Sequence, residues 1–156
     1  MNTLSEIRIE PVTAETLPLA GAVHSAAWQA SHSFCSAAFI AKHTPEAQTA
    51  YLKQEMEAGK ALFVIWQGDA AVGVVTLQES LIENLYVLPE KQNQGHGTQL
   101  LQFVISHCEG TPTLWVLSNN QGAERFYHRH GFRPTGRIHR LNDTLWEAEM
   151  VLDNNI

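Results

Sequence analysis

Two short segments of this 156-residue chain carry residue types and spacings suited to chemistry. The first is Gln92-Asn93-Gln94-Gly95-His96-Gly97-Thr98, between an apolar run and a helical pattern. A turn of this composition leaves backbone N–H groups at a helix N-terminus, where the macrodipole favours anions. Gly95 and Gly97 would let a phosphate approach the main chain without interference from a Cβ. No Gly-Lys-Ser/Thr follows, so this is not a P-loop, and Leu100 replaces the third glycine of the dinucleotide fingerprint. Glycine-rich turns also serve simply to end strands, so the segment alone leaves both readings open.

The second segment is Asn120-Gln121-Gly122-Ala123-Glu124-Arg125-Phe126-Tyr127, with Gly131-Phe132 behind it. Asn120 closes a strand pattern, where its amide can cap a helix or reach a ligand. Tyr127 shares a helical face with Ala123 and His130; such a stripe usually faces a core, yet a phenol can also donate a proton to a developing anion. Eight histidines invite a metal reading, but His128-x-His130 and His107-Cys108 lack the i, i+4 spacing that puts two ligands on one helix face, so no metal is expected. His96 is expected to face solvent or a bound phosphate.

These residues need elements to position them. Ile7-Arg8-Ile9 predicts a first strand ending at Pro11, and Leu17 to Ala30 a helix. Thr44-Pro45-Glu46 predicts the capped start of a helix that Gly59 ends. Ala61–Trp66 and Ala71–Leu77 predict two strands about Gly68-Asp69, and Ile82–Leu88 a third strand closed by Pro89. Leu100, Leu101, Val104 and Cys108 mark a helix after the glycine turn, and Leu114–Leu117 a further strand. A helix through Tyr127 then stops at Gly131, followed by strands over Arg133–Arg140 and Leu145–Leu152.

Together the two segments closely resemble the GNAT superfamily of N-acetyltransferases. Its acyl-CoA signature, Gln/Arg-x-x-Gly-x-Gly/Ala after a strand, is matched by Gln92, Gly95 and Gly97. Its later Asn-x-x-Ala-x-x-Phe-Tyr and Gly-Phe are matched by Asn120, Ala123, Phe126, Tyr127, Gly131 and Phe132. The resemblance implies one domain over residues 1–156, of α/β (α+β) class. Its sheet would be mixed and mostly antiparallel, six- to seven-stranded, with helices on both faces and splayed fourth and fifth strands.

It also implies acetyl-CoA as co-substrate and a primary amine, small or protein-borne, as acceptor. The N–H groups of Gln94, Gly95, His96, Gly97 and Thr98 would hold the pyrophosphate, in a turn completed by Gln92 and Asn93. Leu85, Tyr86 and Val87 would pair with the pantetheine arm, and one main-chain N–H there would polarise the thioester carbonyl. Asn120 and Phe126 would flank the arm, and Tyr127 would protonate the departing thiolate.

An alkylamine with pKa of about 10.4 arrives protonated and needs a base. Glu83 is the preferred one, directly or through water, although the family's usual acid position counts back to Leu81. An ordinary half-exposed acid would look the same. The thioester is already activated, so neither Cys35 nor Cys108 needs to be a nucleophile. Trp28, His32, Phe34 and Phe39, with His24, are expected either to wall the acceptor site or to pack the core. The rival from another class is a non-catalytic acyl-CoA sensor on the same fold.

Composition bounds the rest. Hydrophobic residues make up 44% and charged residues 17%, which excludes a disordered chain. The net charge of −6 argues against nucleic acid or an anionic membrane as partner. It divides unevenly, with four Lys/Arg against ten Asp/Glu in residues 1–90, but six against two in residues 91–140. The basic stretch around the glycine turn would attract a polyanionic cofactor, and the acidic part a cationic amine. No basic n-region with an apolar h-region opens the chain, and two cysteines suggest no disulfide framework, so a cytoplasmic protein is expected. Relatives are often paired, so a homodimer is also an expectation.

Overall fold

The computed structural model describes residues 6–153. In chain order the elements are β1 (Ile7–Pro11), α1 (Leu17–Ser31), α2 (Ala37–Ile40), α3 (Pro45–Glu57), β2 (Ala61–Gln67), β3 (Ala70–Gln78), β4 (Leu81–Val87), α4 (His96–His107), β5 (Thr113–Leu117), α5 (Gln121–Arg129), β6 (Phe132–Arg140) and β7 (Trp146–Leu152). The predicted start of α3 is present as drawn: Thr44 Oγ1 accepts from the Ala47 N–H at 3.0 Å, with Pro45 in the first turn. α2 was not expected. Its one turn buries no residue of its own and is held by Ser36, whose hydroxyl accepts from the Phe39 N–H at 3.2 Å.

Seven strands form one sheet in the order β1-β2-β3-β4-β5-β7-β6. β2 explains why the middle of this sheet reads as an unbroken apolar run. Leu62, Val64 and Trp66 face a layer built from α1 and α3, with Leu17, Ala20, Val23 and Leu52. Phe63 and Ile65 face the opposite layer, where Leu100, Leu101 and Val104 of α4 meet Leu114, Val116, Phe132 and Met150. A strand covered on both faces has no polar side to show. Edge strand β6 is exposed along most of its length, and its charged and polar residues suit an unpaired edge.

Two irregularities centre on β4. Its pairing with β5 is the sheet's one parallel contact, and it is limited to Leu81 opposite Thr113, beyond which the strands diverge. On the other side Thr76 pairs with Glu83 but Val74 with Tyr86, so Val75 faces two residues, Asn84 and Leu85. This is a β-bulge, and Asn84 carries its positive φ of 54°. Past the bulge the side-chain alternation is reset. Leu85 and Val87 pack toward α4, whereas Tyr86 packs toward α1.

Candidate active site

The glycine turn sits where β4 ends. Gln92 pins it there, donating from Nε2 to the Val87 carbonyl at 3.1 Å. Asn93 and Gly95 both have positive φ, 63° and 91°, so successive peptide groups alternate in direction and form a concave set of N–H donors. Gly95 is the N-cap of α4, and no side chain caps the helix. The first N–H groups of α4 are therefore left to a ligand or to water, and open space lies where a Gly95 Cβ would stand. These features fit a phosphate-bearing group such as CoA.

Two details differ from the sequence expectation. The His96 side chain faces neither solvent nor the open turn; it is 3% exposed and its Nδ1 lies 3.2 Å from the Lys91 carbonyl oxygen. His96 lies four residues before the fully buried Leu100 and so on the same helix face, which carries the ring inward and leaves only the main chain of His96 offered outward. Gly97 admits a side chain of the protein itself: a Cβ there would meet Phe126 Cζ at 3.4 Å and Val87 Cγ2 at 3.8 Å.

Phe126 thus locks α5 against α4. A second tie lies one turn on, where Thr98 Oγ1 and His130 Nε2 are 3.2 Å apart. Asn120 acts as the N-cap of α5, its Oδ1 accepting from the Ala123 N–H at 3.0 Å. Tyr127 is half-buried against the core and its ring meets Phe132 at 5.8 Å. Burial, reinforced by Tyr86, pushes the Tyr127 hydroxyl above the usual phenol range, and burial raises Tyr86 to about 12. Both phenols stay protonated at neutral pH.

On the α1/α3 side of β4 a polar cluster was not foreseen. Lys60 Nζ lies 2.9 Å from Glu83 Oε1 and 2.9 Å from Glu55 Oε2. Burial works against the ammonium, but hydrogen bonds with both carboxylates hold Lys60 above its ordinary range. Asn84 Nδ2 donates to the Tyr51 hydroxyl at 3.0 Å. His24, 2% exposed on α1, accepts at Nδ1 from Gln48 Nε2 at 2.8 Å and packs edge-on against Tyr86 at 4.9 Å. Burial lowers its pKa to about 4. Nothing in the sequence marks Lys60 or Tyr51, whereas an Asn in the middle of an apolar strand is a legible signal for a bulge.

Trp28, His32, Phe34 and Phe39 cluster in the structure, together with His43, which the sequence reading did not include. Trp28 is sandwiched between His32 and His43, with ring centroids 4.0 Å and 3.4 Å away. Phe39 closes on Trp28 and His43, and Phe34 on His32. Phe34 and Phe39 remain about half exposed, 49% and 46%, so this is not interior packing. The wall connects to β4 through α1, whose His24 packs edge-on against Tyr86.

Cys35 and Cys108 are free thiols, and burial raises Cys108 above the usual range, away from a reactive thiolate. Among the described residues there is no group of three or more His, Cys, Asp or Glu placed to hold a metal, and no helix long and apolar enough to cross a membrane.

Comparison with known proteins gives this geometry a context. A family model described as acetyltransferase (GNAT) domain matches residues 26–153. No curated protein matches the chain by sequence. Among solved structures, PaiA N-acetyltransferase from Thermoplasma acidophilum, in complex with coenzyme A, is 16% identical, with 92% of this chain and 98% of that chain covered and a TM-score of 0.72. The ribosomal-protein-S18-alanine N-acetyltransferase from Escherichia coli is 21% identical, covering 97% and 99%, with a TM-score of 0.74. Apo YjaB from Escherichia coli is 24% identical, covering 94% and 97%, with a TM-score of 0.69. These structures share the fold, and the family match extends over most of the chain: it belongs to the GNAT acetyltransferase family.

Proposed function

We propose that this protein, acting as one domain, transfers an acetyl group from acetyl-CoA to a primary amine by direct attack within a ternary complex. The observation that carries the reading is the divergence of β4 from β5 next to the uncapped, glycine-started α4. Together they offer unpaired strand edge and free N–H donors in one place. Acetyl-CoA supplies an activated acyl group, so the protein's task is to bind, orient and move protons.

In this reading the N–H groups of Gln94 through Thr98 hold the pyrophosphate. The main chain of Leu85, Tyr86 and Val87 pairs with the pantetheine arm, and Asn120 and Phe126 flank it. Tyr127 retains its proton across the neutral range and donates to the departing thiolate. Lys60 engages Glu83 through Oε1, which leaves Oε2 to take the amine's proton directly or through water. The Trp28–His32–Phe34–Phe39 wall, with His43, receives the body of the acceptor.

The test is CoA thiol release from acetyl-CoA over a panel of small amines and peptides, with CoA binding followed by calorimetry. Turnover with one or more amines supports the proposal. CoA binding without turnover across the panel would favour the sensor reading, and no CoA binding would defeat both.

A further inference from the structure

We infer that Asn84 is a positioning residue: hydrogen-bonded to Tyr51 on α3, it fixes the β4 bulge that sets which main-chain N–H of this strand faces the acetyl carbonyl. This rests on the acetyl-transfer reading above.

The backbone argument comes first. Asn84 is one of three non-glycine residues with positive φ among the described residues, and the one inside a strand. Asn is among the few L-residues that visit this region at low cost. Its conformation takes Asn84 and Leu85 out of one-to-one register with β3, between the Thr76–Glu83 and Val74–Tyr86 pairs. A regular strand here would send Leu85 and Val87 to the face that now receives Tyr86, because a one-residue slip reverses every later side chain. It would also exchange which peptide groups bond to β3 and which look toward the opening beside β5.

The side-chain argument explains what holds it. The Asn84 amide nitrogen is claimed by the Tyr51 hydroxyl on α3. Gln48 of α3 donates to Nδ1 of His24 on α1, so the neutral imidazole carries its proton on Nε2. That Nε2 is buried without a hydrogen-bond partner, and the His24 ring packs edge-on against Tyr86, two residues beyond Asn84. The strand is thus tied to α3 at Asn84 and packed against α1 at Tyr86. Neither Tyr51 nor His24 is among the residues assigned to acetyl-CoA, so the hydrogen bond acts on the bound carbonyl through the strand.

The readout needs no acceptor. Acetyl-CoA labelled with ¹³C at the acetyl carbonyl is bound to wild type, Asn84→Gly, Asn84→Asp and Tyr51→Phe, and the bound carbonyl resonance is compared with the free one. Asn84→Gly keeps the positive φ accessible but deletes the hydrogen bond; Tyr51→Phe deletes a single hydroxyl on a partly exposed ring. The expected result is a downfield displacement in wild type, largely lost in Asn84→Gly, reduced in Tyr51→Phe and retained in Asn84→Asp. Affinity for CoA changes far less than the carbonyl displacement, because the α4 turn keeps its hold on the phosphates. Turnover of Asn84→Gly falls on the order of 10²-fold, as for a misplacement of about 1 Å.

An undiminished displacement in both Asn84→Gly and Tyr51→Phe overturns the inference, as does a wild type that binds acetyl-CoA with no displacement. If Asn84→Gly fails to fold, Tyr51→Phe decides alone. A wild type that does not bind acetyl-CoA at all defeats the acetyl-transfer reading itself.

Discussion

The Lys60 ammonium lies 2.9 Å from the Glu83 carboxylate, and it holds Glu55 at the same distance from its other side. One cation therefore restrains the proposed base. If Glu83 accepts the amine's proton, Glu83→Gln is expected to lower turnover by about 10²-fold or more. Lys60→Met keeps the carboxylate but loses the partner that fixes its position, and is expected to lower turnover less. Loss of the bridging charge should also cost about 1–3 kcal/mol in a urea titration, less than for a fully buried pair. Unchanged turnover in Glu83→Gln removes Glu83 from the chemistry.

Tyr127 offers a cleaner separation of binding from chemistry. Tyr127→Phe keeps the ring against Phe132 and deletes the proton donor. Expected is a fall in kcat of about 10²–10⁴-fold, with CoA affinity unchanged in calorimetry. An unchanged rate would leave the tyrosine as core packing.

Gly95 tests the anion cradle. At φ of 91° with open space around it, alanine would meet no steric clash but would have to adopt a left-handed conformation. Gly95→Ala should destabilise the fold by about 1–2 kcal/mol and weaken CoA binding as the N–H groups rotate away. Unaltered CoA affinity at an unaltered urea midpoint would place the phosphates elsewhere.

His24 predicts how stability depends on pH. Its folded pKa of about 4 lies below the ordinary 6.5, so between these values the unfolded chain binds more protons than the native one. Stability therefore rises with pH across that window and is lost on acidification toward pH 4, by about 3 kcal/mol for a shift of this size. His24→Asn should flatten the slope of unfolding free energy between pH 4 and 6.5. A slope equal to the wild type's would assign the acid sensitivity to other groups.

Charge steering narrows to fewer residues than the sequence suggested. Arg137 pairs with Glu149 and Arg140 lies over Trp146, so both are engaged on the β6–β7 hairpin. Arg125 and Arg129 lie one residue before Phe126 and His130, the pair that packs α5 onto the first turn of α4. Arg125→Gln with Arg129→Gln should raise KM for acetyl-CoA at low salt and flatten its salt dependence. Equal salt slopes would dismiss steering.

Local signals carried much of the fold. Thr44-Pro45 marks a helix start because a hydroxyl and a missing N–H meet the same local need, whatever packs on top. Gly131, with φ of 94°, ends α5 for an equally local reason. α2 escaped because one turn leaves too short a period to detect. The two carriers of the family resemblance were legible for a related reason: backbone N–H geometry at a helix start depends on glycine positions, not on distant partners.

What the sequence determined by itself is this local grammar, together with an uneven charge distribution and the two motifs of the proposed cofactor site. Only tertiary structure decided how β4 is used. Alternation along the strand places Glu83 and Leu85 on one face, but the bulge at Asn84 separates them and puts Glu83 and Tyr86 together instead. The residues that hold this arrangement, Tyr51 and Lys60, come from sequence positions 33 and 23 apart from their partners Asn84 and Glu83. Side-chain periodicity has a range of a few residues, so it cannot register a clamp closed by helices packed from elsewhere in the chain.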